Sequence, residues 1–205
     1  MPPGVRPGGG VRFARIARAV RDEVGQRHRA GHIVRVARMA ERLAAAHGVD
    51  TLRARLAGLL HDLARLYSAE RLLRECAARG MAIDAFERAN PVVLHARLGA
   101  ELARERFGIK DEAVLSAIRK HTLADRLMSP LDEVVYLADG LEPGREFAGR
   151  AELAELAFRD LGAAMRAVLG SSIAYLRGRE LAVSPHTIAA AERYHVRDLE
   201  VRTTA

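Results

Sequence analysis

The chain has 205 residues, 49% hydrophobic and 29% charged, enough for one packed domain of the ~100–200 residues that domains commonly have. No window approaches the ~20 unbroken apolar residues of a membrane span, the opening MPPGVRPGGGVRF lacks the apolar core of a secretory signal, and a lone Cys76 excludes an internal disulfide framework and fits a reducing cytosol. A formal charge of +7 favours a polyanionic or highly anionic ligand. The basic residues are nevertheless dispersed, and four Tyr, five Phe and no Trp are too few for base stacking along a strand, so nucleic acid is not expected as the main ligand. A cytoplasmic protein with no membrane partner is the expectation, and a homodimer is left open.

Helical periodicity dominates and no alternating run rich in β-branched residues appears, which predicts an all-α fold of about eight to ten helices. Residues 1 to about 10 read as a disordered head and 11–200 as a single domain. In chain order the expected helices are about 11–25, 29–47, 51–66, 69–79, 91–107, 111–121, 130–140, 150–169, 171–178 and 185–195. Gly48 and Gly80 stand where helix-ending glycines belong, and Pro91 and Pro130 open helices.

Along the helix from residue 29, His32 shares a stripe with Val36, Ala40 and Leu43, so it points inward. The next helix, GLLHDLARL over residues 58–66, carries His61 and Asp62 among its leucines. Ala57, Gly58 and Ala64 leave room beside His61, which suggests that something docks there. A buried Asp62 would have to meet cations. His95 shares a face with Leu98, Gly99 and Leu102, and His121 with Val114, Ala117 and Ile118. In DEVVYLADGLEP, Asp139 sits near the end of an apolar helix, where an anion opposes the helix dipole, so a compensating positive group is expected.

Taken singly, each of these has a plain account: a histidine on an apolar face is usually a satisfied core histidine, and an aspartate after an apolar run is often a turn residue. Such accounts do not explain four inward histidines and two misplaced aspartates together. As a set they are N and O donors suited to a divalent transition metal, with one carboxylate able to bridge two ions. Residue types alone leave both accounts open.

The ordered set His32, then HD at 61–62, then His95, His121 and Asp139 resembles the HD-domain metallophosphohydrolase superfamily. The stretches HIVRVARMAERLAAAHGVD, AGLLHDLAR, VLHARLGAELA, AIRKHT, MSPLDEVVYLADGLEPGRE and SPHTIAAAERY are similar to the bacterial YqeK family of symmetrical diadenosine tetraphosphate hydrolases, over about residues 26–195. The resemblance implies a dinuclear site in which His32, His61, Asp62 and Asp139 hold one ion and Asp62, His95 and His121 the other. The ions implied are iron, and the donors also suit manganese, cobalt or zinc. It further implies that a water between the ions attacks a central phosphate to give two ADP, with no protein nucleophile. Arg145, in EPGRE, is the expected phosphate clamp, since a planar guanidinium fits phosphate oxygens. Arg65 and Thr122 are further candidates to touch substrate. The chain departs from the family in having Arg65 for a lysine, Ala124 for a glycine and Glu133 for a lysine.

Two other functions remain to be weighed. One keeps the fold and metals but acts on a different nucleotide or a phosphomonoester, since the ligand residues are shared across the superfamily. The other is a non-catalytic nucleotide or RNA-binding protein, motivated by the positive charge.

Overall fold

The structure, a computed structural model, describes residues 14, 16–20 and 27–197. The expected head lies outside them, and of the expected helix 11–25 only residues 14 and 16–20 are described, as helical. Helix α1 (Arg27–Ala46) buries Ile33, Val36, Ala40 and Leu43, with His32 on the same stripe. A short turn, in which Val49 N–H bonds Ala44 O at 2.9 Å, leads to Asp50, whose carboxylate caps α2 (Thr51–Leu60) by accepting from Arg53 N. The chain then runs through α3 (Ala69–Ala78), the short α4 (Ala85–Ala89) and a 3-10 turn (Pro91–Val93) into α5 (Leu94–Phe107). It continues through α6 (Glu112–Lys120), α7 (Pro130–Leu141), α8 (Arg150–Arg159), α9 (Leu161–Gly178) and α10 (Pro185–Arg193).

Among the described residues every regular element is helical, as the periodicity predicted, and no helix is long and apolar enough to cross a membrane. Helices α1, α2, α6 and α7 pack together as the core, with α5 on α6 and with α8 and α9 laid against α7. Cys76 is buried in α3.

Three boundaries differ from expectation. Helix α2 stops at Leu60 instead of running to 66, and residues 61–66 form turns whose N–H groups reach back three residues, Arg65 to Asp62 at 3.0 Å and Tyr67 to Ala64 at 3.1 Å. The leucine spacing continues through the turns, which is why periodicity alone extends the helix. Second, the expected helix 150–169 is broken at Asp160. That residue is extended (φ −153°) and its side chain accepts from Ala163 N, so it ends α8 and caps α9, which runs on through 171–178 as one element. Third, α4, capped reciprocally by Asp84 and Glu87, was not expected as a helix.

The room left beside His61 by small residues is taken by α1. A Cβ on Gly58 would stand 2.9 Å from Ala37 Cα, so glycine there lets the two helix backbones approach and seats His61 opposite His32.

Candidate metal centre and its cleft

Helix ends build the centre. His61 and His121 are the first residues past the ends of α2 and α6, and His95 is the second residue of α5. The C-terminal ends of α2 and α6 leave carbonyls without intrahelical partners, which His61 and His121 use, while His95 turns back to a carbonyl of the preceding 3-10 turn. His61 Nδ1 donates to Gly58 O at 2.7 Å, His121 Nδ1 to Ile118 O at 2.7 Å and His95 Nδ1 to Val92 O at 2.5 Å. A carbonyl can only accept, so in each ring the proton is on Nδ1 and the lone pair is on Nε2. His32, in the middle of α1, has no spare backbone carbonyl; its Nδ1 donates to the Glu142 carboxylate at 3.1 Å. All four Nε2 atoms thus turn toward one point in the ligating tautomer.

That point is the Asp62 carboxylate, 4% exposed, and its two oxygens face different partners. Oδ2 lies 3.7 Å from His32 Nε2 and 3.5 Å from His61 Nε2, whereas Oδ1 lies 3.4 Å from His95 Nε2 and 3.8 Å from His121 Nε2. Asp139 joins the first side, with Oδ1 3.1 Å from His32 Nε2 and 3.7 Å from His61 Nε2. His95 and His121 approach each other at 3.2 Å between Nε2 atoms. The six residues singled out in the sequence are therefore brought together. Donor atoms of His32, His61 and Asp139, and those of His61, Asp62 and His121, each gather within 4.8 Å. The Nε2 atoms of His32 and His61 are buried without a hydrogen-bond partner. Buried polar atoms are nearly always satisfied, so two converging orphan lone pairs next to carboxylates fit a cation. The cluster has the donors to hold divalent metal.

Burial alone would raise the Asp62 carboxyl, but His61, His95 and His121 outweigh it and hold it well below the carboxylate range. Asp139 behaves likewise, with burial opposed by the adjacent His32 and by His61, His121 and Arg145. His121 is pushed down to about 3 by burial and by the neighbouring His61 and His95, so it is a neutral imidazole at pH 7. For His32 burial also acts downward, yet the neighbouring Asp139 and Glu142 carboxylates outweigh it and raise it.

The positive group expected beside Asp139 is Arg145, whose Nη2 donates to Oδ1 at 2.6 Å and whose Nε donates to the Asp139 carbonyl at 3.0 Å. Arg145, Arg65 and Thr122 all line a cleft of about 340 Å³ above the ligand cluster. Thr122 Oγ1 lies 3.0 Å from His121 Nε2 and 3.2 Å from His95 Nε2.

Three polar residues of the centre were not singled out in the sequence. Arg29, one turn before His32, lines the cleft and donates from Nη1 to Asp62 Oδ2 at 2.8 Å. Glu142 is buried behind His32 and accepts from Arg35 Nε at 2.5 Å and Gly144 N at 2.6 Å. Burial acts to raise its carboxyl, but Arg35, His32 and the Gly144 amide hold it down at about 2. A Cβ on Gly144 would stand 2.6 Å from Arg35 Cζ, so glycine there makes space for the guanidinium. The available signal was LEPGRE itself, which places Glu142 three residues past Asp139. The stretch 148–180, assigned no function from sequence, supplies Val168 and Ser172 to the cleft wall.

Two of the family departures lie away from this cleft. Glu133 accepts a 2.5 Å hydrogen bond from the Tyr194 hydroxyl and ties α7 to the end of α10. Ala124 has φ +59°, the left-handed region, just past α6; glycine takes that conformation without a Cβ penalty, which accounts physically for the family's residue.

Known proteins resemble this chain. A family model described as the HD domain matches residues 29–144. A Bacillus subtilis protein named symmetrical bis(5'-nucleosyl)-tetraphosphatase is 34% identical over 160 residues, covering 78% of this chain and 86% of the relative. A Staphylococcus aureus protein of the same name is 26% identical, covering 85% and 90%. Among solved structures, one from Clostridium acetobutylicum, described as a predicted HD superfamily hydrolase involved in NAD metabolism, matches with a TM-score of 0.86 at 34% identity. It covers 90% of this chain and 97% of that one.

Proposed function

The chain belongs to the HD-domain family, with matching relatives named symmetrical bis(5'-nucleosyl)-tetraphosphatase, and from that premise we propose that it hydrolyses diadenosine tetraphosphate symmetrically to two ADP at a two-metal centre. The observation that carries the reading is the division of Asp62, with one oxygen addressed by His32 and His61 and the other by His95 and His121. In this reading His32, His61, Asp62 and Asp139 hold one ion, and Asp62, His95 and His121 hold the other. The imidazole and carboxylate donors suit iron, the proposed ion, and also manganese, cobalt or zinc. A bound pair of divalent ions supplies Lewis-acid polarisation of phosphoryl oxygens and a water acidic enough to attack at neutral pH.

The chain's own residues do the rest. Nδ1 bonds to fixed acceptors hold the four rings in position, so little reorganisation is needed when charge develops. Arg29, Arg65 and Arg145 put three guanidinium groups around one cleft, opposing the repulsion that a tetraphosphate would meet from Asp62 and Asp139. Arg145 is the proposed clamp on the phosphate nearest Asp139. Thr122 offers a hydroxyl on the His95 side. No side chain is asked to form a covalent intermediate.

Incubating the iron- or manganese-loaded protein with diadenosine tetraphosphate and separating the nucleotides tests this. ADP as the only product is expected; ATP plus AMP, or no turnover, contradicts it.

A further inference from the structure

A cleft of about 340 Å³ accommodates a polyphosphate and its counter-ions but not two nucleosides as well, so the nucleosides of such a substrate must extend over the rim. Along α9, Val168, Ser172 and Tyr175 are spaced four and three residues apart and share one face of the helix. The first two line the cleft, and Tyr175 is the next step outward. Tyr136 in α7 and Ser172 hydrogen-bond through their side chains, which ties this part of α9 to the helix that carries Asp139.

Two aromatic side chains among the described residues are exposed, Tyr175 at 58% and Phe147 at 48%. Each lies close in sequence to a cleft residue, Tyr175 to Ser172 and Phe147 to Arg145. The Arg179 guanidinium sits over the Tyr175 ring, 4.8 Å from its centroid, a cation–π contact that covers one face and steadies the ring. More than half of the residue remains open to solvent. An aromatic in that state contributes little to the core, but it offers the flat apolar surface that a purine stacks on.

We propose that Tyr175 is the stacking platform for a nucleobase of the dinucleoside polyphosphate, with the phosphates in the cleft and the base on α9. This rests on the reading under Proposed function and extends it from phosphate chemistry to base recognition. Arg179, behind the ring, enriches the positive field on that side without entering the metal centre.

Calorimetric binding of ADP and of pyrophosphate to manganese-loaded protein tests the platform without turnover. Relative to the native chain, Tyr175→Ala is expected to weaken ADP about tenfold, within the range of one base–aromatic stack, and to leave pyrophosphate within about twofold. Tyr175→Phe, which keeps the ring, is expected to bind ADP within about twofold of the native chain. Unchanged ADP affinity in Tyr175→Ala overturns the proposal, and so does loss of ADP and pyrophosphate in equal proportion. Because neither probe is cleaved as a dinucleotide, a wrong product pattern would defeat the hydrolase reading separately from this one.

Discussion

Around Asp62 Oδ2 the neighbours are largely charged: His32 and Asp139 in front, Glu142 and Arg35 behind His32, Arg29 and Arg145 alongside. Around Oδ1 they are imidazoles, carbonyls and a hydroxyl: His95 and His121, backbone carbonyls behind both rings, and the Thr122 hydroxyl alongside. The halves differ in how orientation is secured. On the Oδ1 side each ring is fixed by a carbonyl three residues back, so its aim is as durable as the local backbone that supplies it. On the Oδ2 side His61 is fixed in the same way by Gly58 O, but His32 is aimed by one carboxylate 110 residues away, so that half also depends on a tertiary contact that a single substitution can remove. Electrostatics follow the same division, with His32 raised by its two acid neighbours and His121 depressed to about 3 by burial and by its imidazole neighbours.

The residue shared by both halves gives the largest expected effect. Asp62→Asn keeps the shape but removes the charge that both halves share, and should lower kcat by roughly a thousandfold or more, about 4 kcal/mol of transition-state stabilisation. It should also reduce metal content, and elemental analysis beside steady-state kinetics checks both.

Glu142→Gln acts on one half alone. Loss of a partner behind a metal-binding histidine commonly costs 10–100-fold in affinity, and that loss is expected for one of two ions, with the other unchanged in a two-phase metal titration. Equal weakening of both would erase the distinction between the halves.

A third expectation concerns pH. The Glu142 carboxyl is held down at about 2, from an ordinary 4.5, so the unfolded chain takes up its proton first as pH falls. The stability it contributes is full above about 4.5 and is lost progressively toward 2, on the order of 3 kcal/mol in total. Denaturant midpoints of metal-free protein should therefore separate native chain from Glu142→Gln at pH 6 and converge near pH 2.

The smallest effect is expected from Ala124→Gly, outside both halves. Relief of the left-handed alanine, partly offset by glycine's greater unfolded-state entropy, should raise stability by about 0.5–1 kcal/mol, seen as a higher Tm with unchanged metal stoichiometry.

Much of the centre was legible in the sequence because its polar residues break the local pattern. His32 on an apolar stripe, HD inside a leucine run and Asp139 at a helix end are each out of place for a reason the structure supplies. What supports them was not legible. Glu142 in a Pro-Gly loop looks like any surface acid until the fold sets it behind His32, and Arg29 is one arginine among many. Val168 and Ser172 sit in a helix whose spacing speaks only of packing. The early end of α2 escaped because its turns keep the leucine rhythm, and the break at Asp160 because an aspartate inside a helical run marks a cap only when the next helix starts there.

Metal stoichiometry of the reconstituted protein tests the central claim most directly. Two divalent ions per native chain, with neither retained at full affinity in Asp62→Asn, is the result expected of a carboxylate shared between the halves. A single ion per chain, or two ions whose binding is indifferent to Asp62, would contradict it.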